Sequence, residues 1–185
     1  MRFHRYRLRR RIIIIAGALI LAGLVFADRN GWLLVHQADD MSAYHGMKAR
    51  AVRVIDGDTI EVSIADALNR KPATRVHLWG VDCPELARPT GEPWAEEASA
   101  CTRSLVTDIE FTLWLESHQT RDAYGAVLAR LELPDGRIVN EVVLEQGLAR
   151  ADDRFPHAYL TRYAQLENSA RRRRVGIWSN GRTSQ

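Results

Sequence analysis

At 185 residues the chain suits one domain plus an extension, and it shows no internal repeat or low-complexity run. Its net charge of +3 and pI of 9.1 resemble the balance of a nucleic-acid binder, but six arginines sit within the first eleven residues. Residues 28–185 alone carry 20 basic against 23 acidic groups, a net of −3, so the overall charge is no argument for nucleic acid.

Arg2, Arg5, Arg7, Arg9, Arg10 and Arg11 precede an uncharged apolar run over residues 12–27. A basic stretch followed by an apolar one is the pattern of an export signal. Val25-Phe26-Ala27 places small or modest residues before Asp28, where a signal peptidase cuts. The run is a little short of the roughly 20 residues that span a bilayer. Retained, it would be a signal anchor with its arginines inside, giving membrane anchoring through residues 12–27. Cleaved signal and anchor both stay open. Either way the sequence predicts an exported protein: periplasmic, anchored to the inner membrane facing the periplasm, or secreted. Residues 28–47 read as a linker, with turn signals at Asn30-Gly31 and Asp39-Asp40 and an apolar Trp32-Leu33-Leu34-Val35 able to dock.

Strand signals follow over 50–55, 59–65, 74–81, 109–116 and 126–133, where apolar residues alternate in runs of high strand propensity. Asp56-Gly57-Asp58-Thr59 reads as a tight turn, with Gly57 supplying backbone angles that other residues avoid. Pro84 stops the third strand just after Asp82. Side by side, these strands would bring Asp58, Asp82 and Glu85 to one end of a small sheet. Three carboxylates without a His or Cys cluster suit a hard cation such as Ca²⁺ and not zinc. Helix signals cover 93–106, 139–146 (closed by Gly147) and 156–173. The two cysteines, Cys83 and Cys101, are either a disulfide closing a loop of about 19 residues, worth roughly 3 kcal/mol, or two small packing residues. Five short strands with interleaved helices predict an α+β domain over residues 48–181: a five-stranded OB-like Greek-key barrel with about three helices, preceded by the signal or anchor helix of residues 1–27.

The paired motifs VRVIDGDTIEV (52–62) and VHLWGVDCPE (76–85) resemble those of the staphylococcal nuclease, or thermonuclease, family. Further matches are Asp122-Ala123-Tyr124-Gly125, GRIVNE (136–141), Gln146-Gly147-Leu148-Ala149 and Gly176-Ile177-Trp178, in the family's order and spacing over roughly residues 50–180. The resemblance implies an OB-like barrel with three helices and Ca²⁺-dependent hydrolysis of DNA and RNA phosphodiesters, with single- or double-stranded nucleic acid as substrate. Carried over residue by residue, Asp58 and Asp82 fall on the metal carboxylates, Cys83 on a position lending its backbone carbonyl, and Glu85 on the general base. Asp56 is the first acid of the same turn.

Two positions depart from the family. Its first catalytic arginine corresponds to His77 and its second to Ala126. Arg75 lies on the same strand face as His77, about 7 Å further along, and Arg121 and Arg130 flank the other gap. Losing one preorganised charge-stabilising donor typically costs about 10²–10³ in rate. His77, with a reference pKa near 6.5, would replace part of that catalytic charge when protonated; otherwise it fills the strand face as a neutral group. Arg171 to Arg174 read as the solvated end of a helix or as a phosphate patch, and Trp79, Trp114 and Trp178 as packing residues. Two functions follow: a weak extracytoplasmic nuclease, or a nuclease-like module that no longer cuts and serves binding or assembly in the cell envelope. Anchored proteins of this kind include one assigned to succinoglycan-type exopolysaccharide biosynthesis.

Overall fold

The computed structural model describes residues 16–23, 25, 34–86 and 91–179. In chain order they form α1 (Leu34–Tyr44), β1 (Lys48–Val54), β2 (Thr59–Val62), β3 (Thr74–Leu78), β4 (Val81–Asp82), α2 (Ala95–Val106), β5 (Glu110–Trp114), β6 (Val127–Glu132), α3 (Val139–Glu145), β7 (Arg150–Ala151), α4 (Leu160–Arg173) and a closing 3₁₀ turn, Gly176–Trp178.

Five strands close a barrel in the order β1-β2-β3-β6-β5, with only the β3–β6 pair parallel. Alternation drives the closure. Ile60 and Val62, Val76 and Leu78, Phe111 and Leu113, and Val127, Ala129 and Leu131 are all essentially inaccessible and fill the interior. A bulge between Ala51 and Arg53 bends β1 and leaves Val52 outside. The expected five-stranded α+β barrel is therefore present, with helices α2, α3 and α4 beside it.

Several expectations are corrected. The third strand does not run through to residue 81. It breaks at Trp79-Gly80, where Gly80 has φ 76°, and resumes as β4, which pairs with β7 in a separate two-stranded ladder. A side chain at Gly80 would also collide with the His157 ring, so this turn demands glycine twice over. At Gly57 the demand is different: its φ is not left-handed, but a Cβ there would lie 2.7 Å from those of Ala98 and Cys83. Gly57 is glycine for closeness. Trp94, at φ 75°, delays the start of α2 to Ala95.

Asp39 and Asp40 are not a turn; helix α1 runs through both. Asp40 is buried against Arg121, which makes a carboxylate tolerable there, and Tyr44 enters the core. Cys83 and Cys101 are separate thiols. Cys83 packs against the Gly57 turn and Cys101 donates to Gln146 Oε1 at 3.6 Å.

The Asn30-Gly31 turn and Trp32-Leu33 lie outside the described residues, as does most of the predicted signal or anchor. Residues 16–23 are helical, with Leu19, Ile20 and Leu21 exposed. Among the described residues no helix is long and apolar enough to cross a membrane.

Candidate active site

The turn between β1 and β2, the β3–β4 corner and the loop after β7 meet around a cleft of about 790 Å³. Asp56, Asp58, His77, Asp82 and Glu85 line it, with Arg75, Trp79, Ala126 and Arg154 among the others. Two short connections set this arrangement. Leu78 N donates to Asp58 O at 2.8 Å, holding the acidic turn beside β3, and Cys83 N donates to Asp58 Oδ2 at 2.6 Å, tying β4 to the same carboxylate. Asn140, fully buried on α3, supports the corner by accepting from Leu131 N and donating to Trp79 O.

Asp58 is 6% exposed, whereas Asp82 and Glu85 face open solvent in the cleft. Burial lifts the Asp58 carboxyl to about 7. His77 draws it back down, Asp56 pushes it up, and the Cys83 amide lowers it again. Thr59 Oγ1 donates to Asp58 Oδ1 at 3.0 Å and lies 3.2 Å from His77 Nδ1. A hydroxyl has one proton, so with that proton given to Asp58 it accepts from Nδ1–H of His77. The chain His77–Thr59–Asp58 thereby sets the ring's tautomer and leaves Nε2 for the cleft. Nδ1 of His77 is 3.7 Å from Asp58 Oδ1, close enough for a protonated ring to form an ion pair.

The chemistry of the donor set suits a hard cation. Asp56 Oδ1 is buried and, among the described residues, has no hydrogen-bond partner. Asp58 resists ionisation for want of opposite charge, and the surrounding donors are oxygens. This fits an oxygen-seeking cation. Among the described residues, however, no three His, Cys, Asp or Glu side chains form a ready-made cluster. The structure brings Asp58, Asp82 and Glu85 to one cleft without focusing them on a point, so any ion bound there would keep water in its shell.

The arginines named from sequence separate cleanly. Arg75 lines the cleft. Arg121 turns away and is buried between Asp40 and Asp66, at 2.7 and 3.0 Å. Arg130 stacks on the Tyr159 ring at 4.3 Å. Ala126 is 3% exposed on the cleft wall, and its amide donates to Asp122 Oδ1 at 2.9 Å, so Asp122 acts as the clasp of its loop.

The arginines at the end of α4 are spent on structure. Arg171 stacks on Trp178 at 3.9 Å and pairs with Glu167, and Arg173 bonds the carbonyl of Glu145. Trp178 packs as expected. Trp114 does too, with its Nε1 donating to Glu132. Trp79, buried, also floors the cleft.

Sequence reasoning missed Asp152, Arg154, Phe155 and His157, which form the wall opposite β3. They are carried there by the β4–β7 ladder, two residues long, for which a sequence gives no periodic signal. His157 is 8% exposed and burial lowers its pKa, keeping it neutral.

Comparison with known proteins agrees with this geometry. The family described as staphylococcal nuclease homologue matches residues 75–180. A thermonuclease of Staphylococcus hyicus is 31% identical over 91% of this chain and 96% of its own length. An uncharacterized endonuclease of Escherichia coli is 32% identical over 71% of this chain and 76% of its own. Endonuclease YncB of Bacillus subtilis is 35% identical over 69% of this chain and 59% of its own.

Proposed function

The chain belongs to the staphylococcal nuclease family, and from that premise we propose that it is an exported, weak, Ca²⁺-dependent phosphodiesterase acting on DNA or RNA. The observation that carries this is the single cleft holding Asp58, Asp82 and Glu85 beside the orphaned oxygen of Asp56. Asp58, Asp82 and the Cys83 carbonyl would hold the ion, which when bound polarises the phosphate and acidifies water. Glu85, exposed at the cleft, takes the proton from the attacking water. His77 presents Nε2 to the cleft and, protonated, donates to a phosphoryl oxygen. Without arginine at 77 or 126, turnover is reduced by about 10²–10³ or more.

Export rests on the basic and apolar pattern of residues 1–27, with a cleaved signal or an anchor in the inner membrane. The buried Ala126 on the cleft wall favours one second reading: a lapsed nuclease-like module that binds or assembles in the cell envelope, as in exopolysaccharide biosynthesis.

The test is cleavage of labelled DNA and RNA by the purified full-length chain, with Ca²⁺ or EDTA, from about pH 5 to 9. Slow Ca²⁺-dependent cutting that disappears in Glu85→Gln is expected. No cutting under any condition would leave the second reading.

A further inference from the structure

The cleft carries many more carboxylates than cations: Asp56, Asp58, Asp82, Glu85, Asp122 and Asp152 face it, against Arg75 and Arg154. A phosphodiester brings further negative charge into that field, so some fixed cation must meet it. Arg75 lies two residues up β3 from His77, and its charge is felt by Glu61 on the neighbouring strand, away from the acidic turn.

Arg154 differs. The β4–β7 pairing sets Asp82 opposite Arg150, and Asp152 N donates to Gly80 O at 2.9 Å, so the loop after β7 is pinned to the corner that carries Asp82. Asp152 then holds Arg154 in three ways. Its Oδ1 accepts from Arg154 N at 3.1 Å and from Nε at 2.8 Å, and its Oδ2 accepts from Nη2 at 2.8 Å. That fork fixes the guanidinium plane and occupies two of its five N–H donors, leaving both on Nη1 and one on Nη2. The Arg154 side chain is 69% exposed, so its ion pair is worth at most about 1 kcal/mol and does not seal the group from a ligand. The charge of Asp82 also reaches Arg154, and that of His77 reaches Asp152, so the guanidinium belongs to the same electrostatic field as the acidic turn.

We propose that Arg154, oriented by Asp152, binds the non-bridging oxygens of the substrate phosphate, supplying from the opposite wall the guanidinium that positions 77 and 126 do not. This deepens the reading of the cleft as a phosphodiesterase site and rests on it.

The structure holds a matched control. Arg137 bonds Asp135 through the same i, i+2 geometry, at 3.1 Å from its N and 2.8 Å from its Nε, in the β6–α3 turn outside the cleft. The experiment uses the full-length chain with a 5′-fluorescein single-stranded DNA oligomer and Ca²⁺. It compares Arg154→Met, Arg154→Lys and Arg137→Met in kcat and KM. It also compares Arg154→Met and Arg137→Met in anisotropy over a salt series, in a Glu85→Gln background that blocks cleavage.

Arg154→Met should lower kcat/KM by about 10²–10³, with Arg154→Lys recovering part of the loss and Arg137→Met leaving the rate unchanged. In the anisotropy series Arg154→Met should flatten the salt dependence by about 0.7, one phosphate contact on a single strand. If Arg154→Met matches Arg137→Met in both readouts, the assignment is overturned while the nuclease reading stands. If the wild type never cleaves, the nuclease reading falls and the salt slope alone decides: a flattened slope keeps Arg154 as a phosphate-binding residue, and an unchanged slope removes it.

Discussion

Asp58 sits where burial and function make opposite demands. Its carboxylate is nearly inaccessible, accepts from the Cys83 amide and the Thr59 hydroxyl, and still holds its proton up to about pH 7, because burial outweighs those donors and the protonated His77 together. Gly57 exists to permit this: its missing Cβ lets the turn press against Cys83 and Ala98. With the folded pKa raised above the unfolded value near 3.9, the sign of the linkage is fixed. Below about pH 4 both states are protonated. Between there and about 7 the unfolded chain ionises while the folded carboxyl does not, so stability falls as pH rises, and above 7 the penalty stays constant. Urea unfolding in EDTA at pH 5 and pH 8 should show the wild type losing more stability than Asp58→Asn, by roughly 2 to 3 kcal/mol. Saturating Ca²⁺ should restore the wild type at pH 8 and do nothing for Asp58→Asn. Equal pH dependence in the two proteins would mean that Asp58 is ionised in the fold without an ion.

Helix α1 shows how an element can be decided by a partner far along the chain. Nothing local in Asp39-Asp40 favours a helix, and on propensity alone a turn is the better reading. The deciding contact is Arg121, about eighty residues away, which donates to Asp40 at 2.7 and 2.8 Å, to Asp66 at 3.0 Å and to the Gly125 carbonyl at 2.9 Å. Burial alone would lower the Arg121 pKa and raise that of Asp66. The hydrogen bonds reverse both, raising Arg121 and holding Asp66 below the usual carboxylate range. One guanidinium thus joins α1, the loop after β2 and the Asp122–Ala126 clasp. Asp40→Ala removes half of its neutralisation inside the protein, and breaking a buried pair this way costs about 3–5 kcal/mol. Thermal or urea unfolding measures it. A loss below about 1 kcal/mol, the value of a surface pair, would show that α1 docks by apolar contact alone. The strands and the other helices were legible because their periodicity is local. Helix α1 and the β4–β7 ladder were not, the first resting on a remote ion pair and the second too short to have a period.

At the scale of the molecule, the barrel, the acidic turn and the Asp82–Glu85 corner could all be placed from sequence, because each side chain there is fixed within a few residues of a turn or strand end. The wall built by Asp152, Arg154, Phe155 and His157 could not, since it reaches the cleft only through tertiary pairing. That division bears on what the scaffold has kept. The backbone at 77 and 126 is held firmly, His77 by its pairing with Thr59 and Leu128, and Ala126 by Asp122 and the Arg121-bound Gly125 carbonyl. Both residues line the cleft, so longer side chains there have open space to enter. The double variant His77→Arg with Ala126→Arg should therefore fold and raise kcat by at least about 10²–10³ over the wild type, the value of one preorganised donor, with the two gains not required to multiply. Single-turnover cleavage in Ca²⁺, with unfolding curves run alongside, separates a chemical gain from a change in stability. Unchanged cleavage by a stable double variant would place the defect elsewhere, in the ion's own site. A gain confined to Ala126→Arg would mean that His77 already does what an arginine would do at that position.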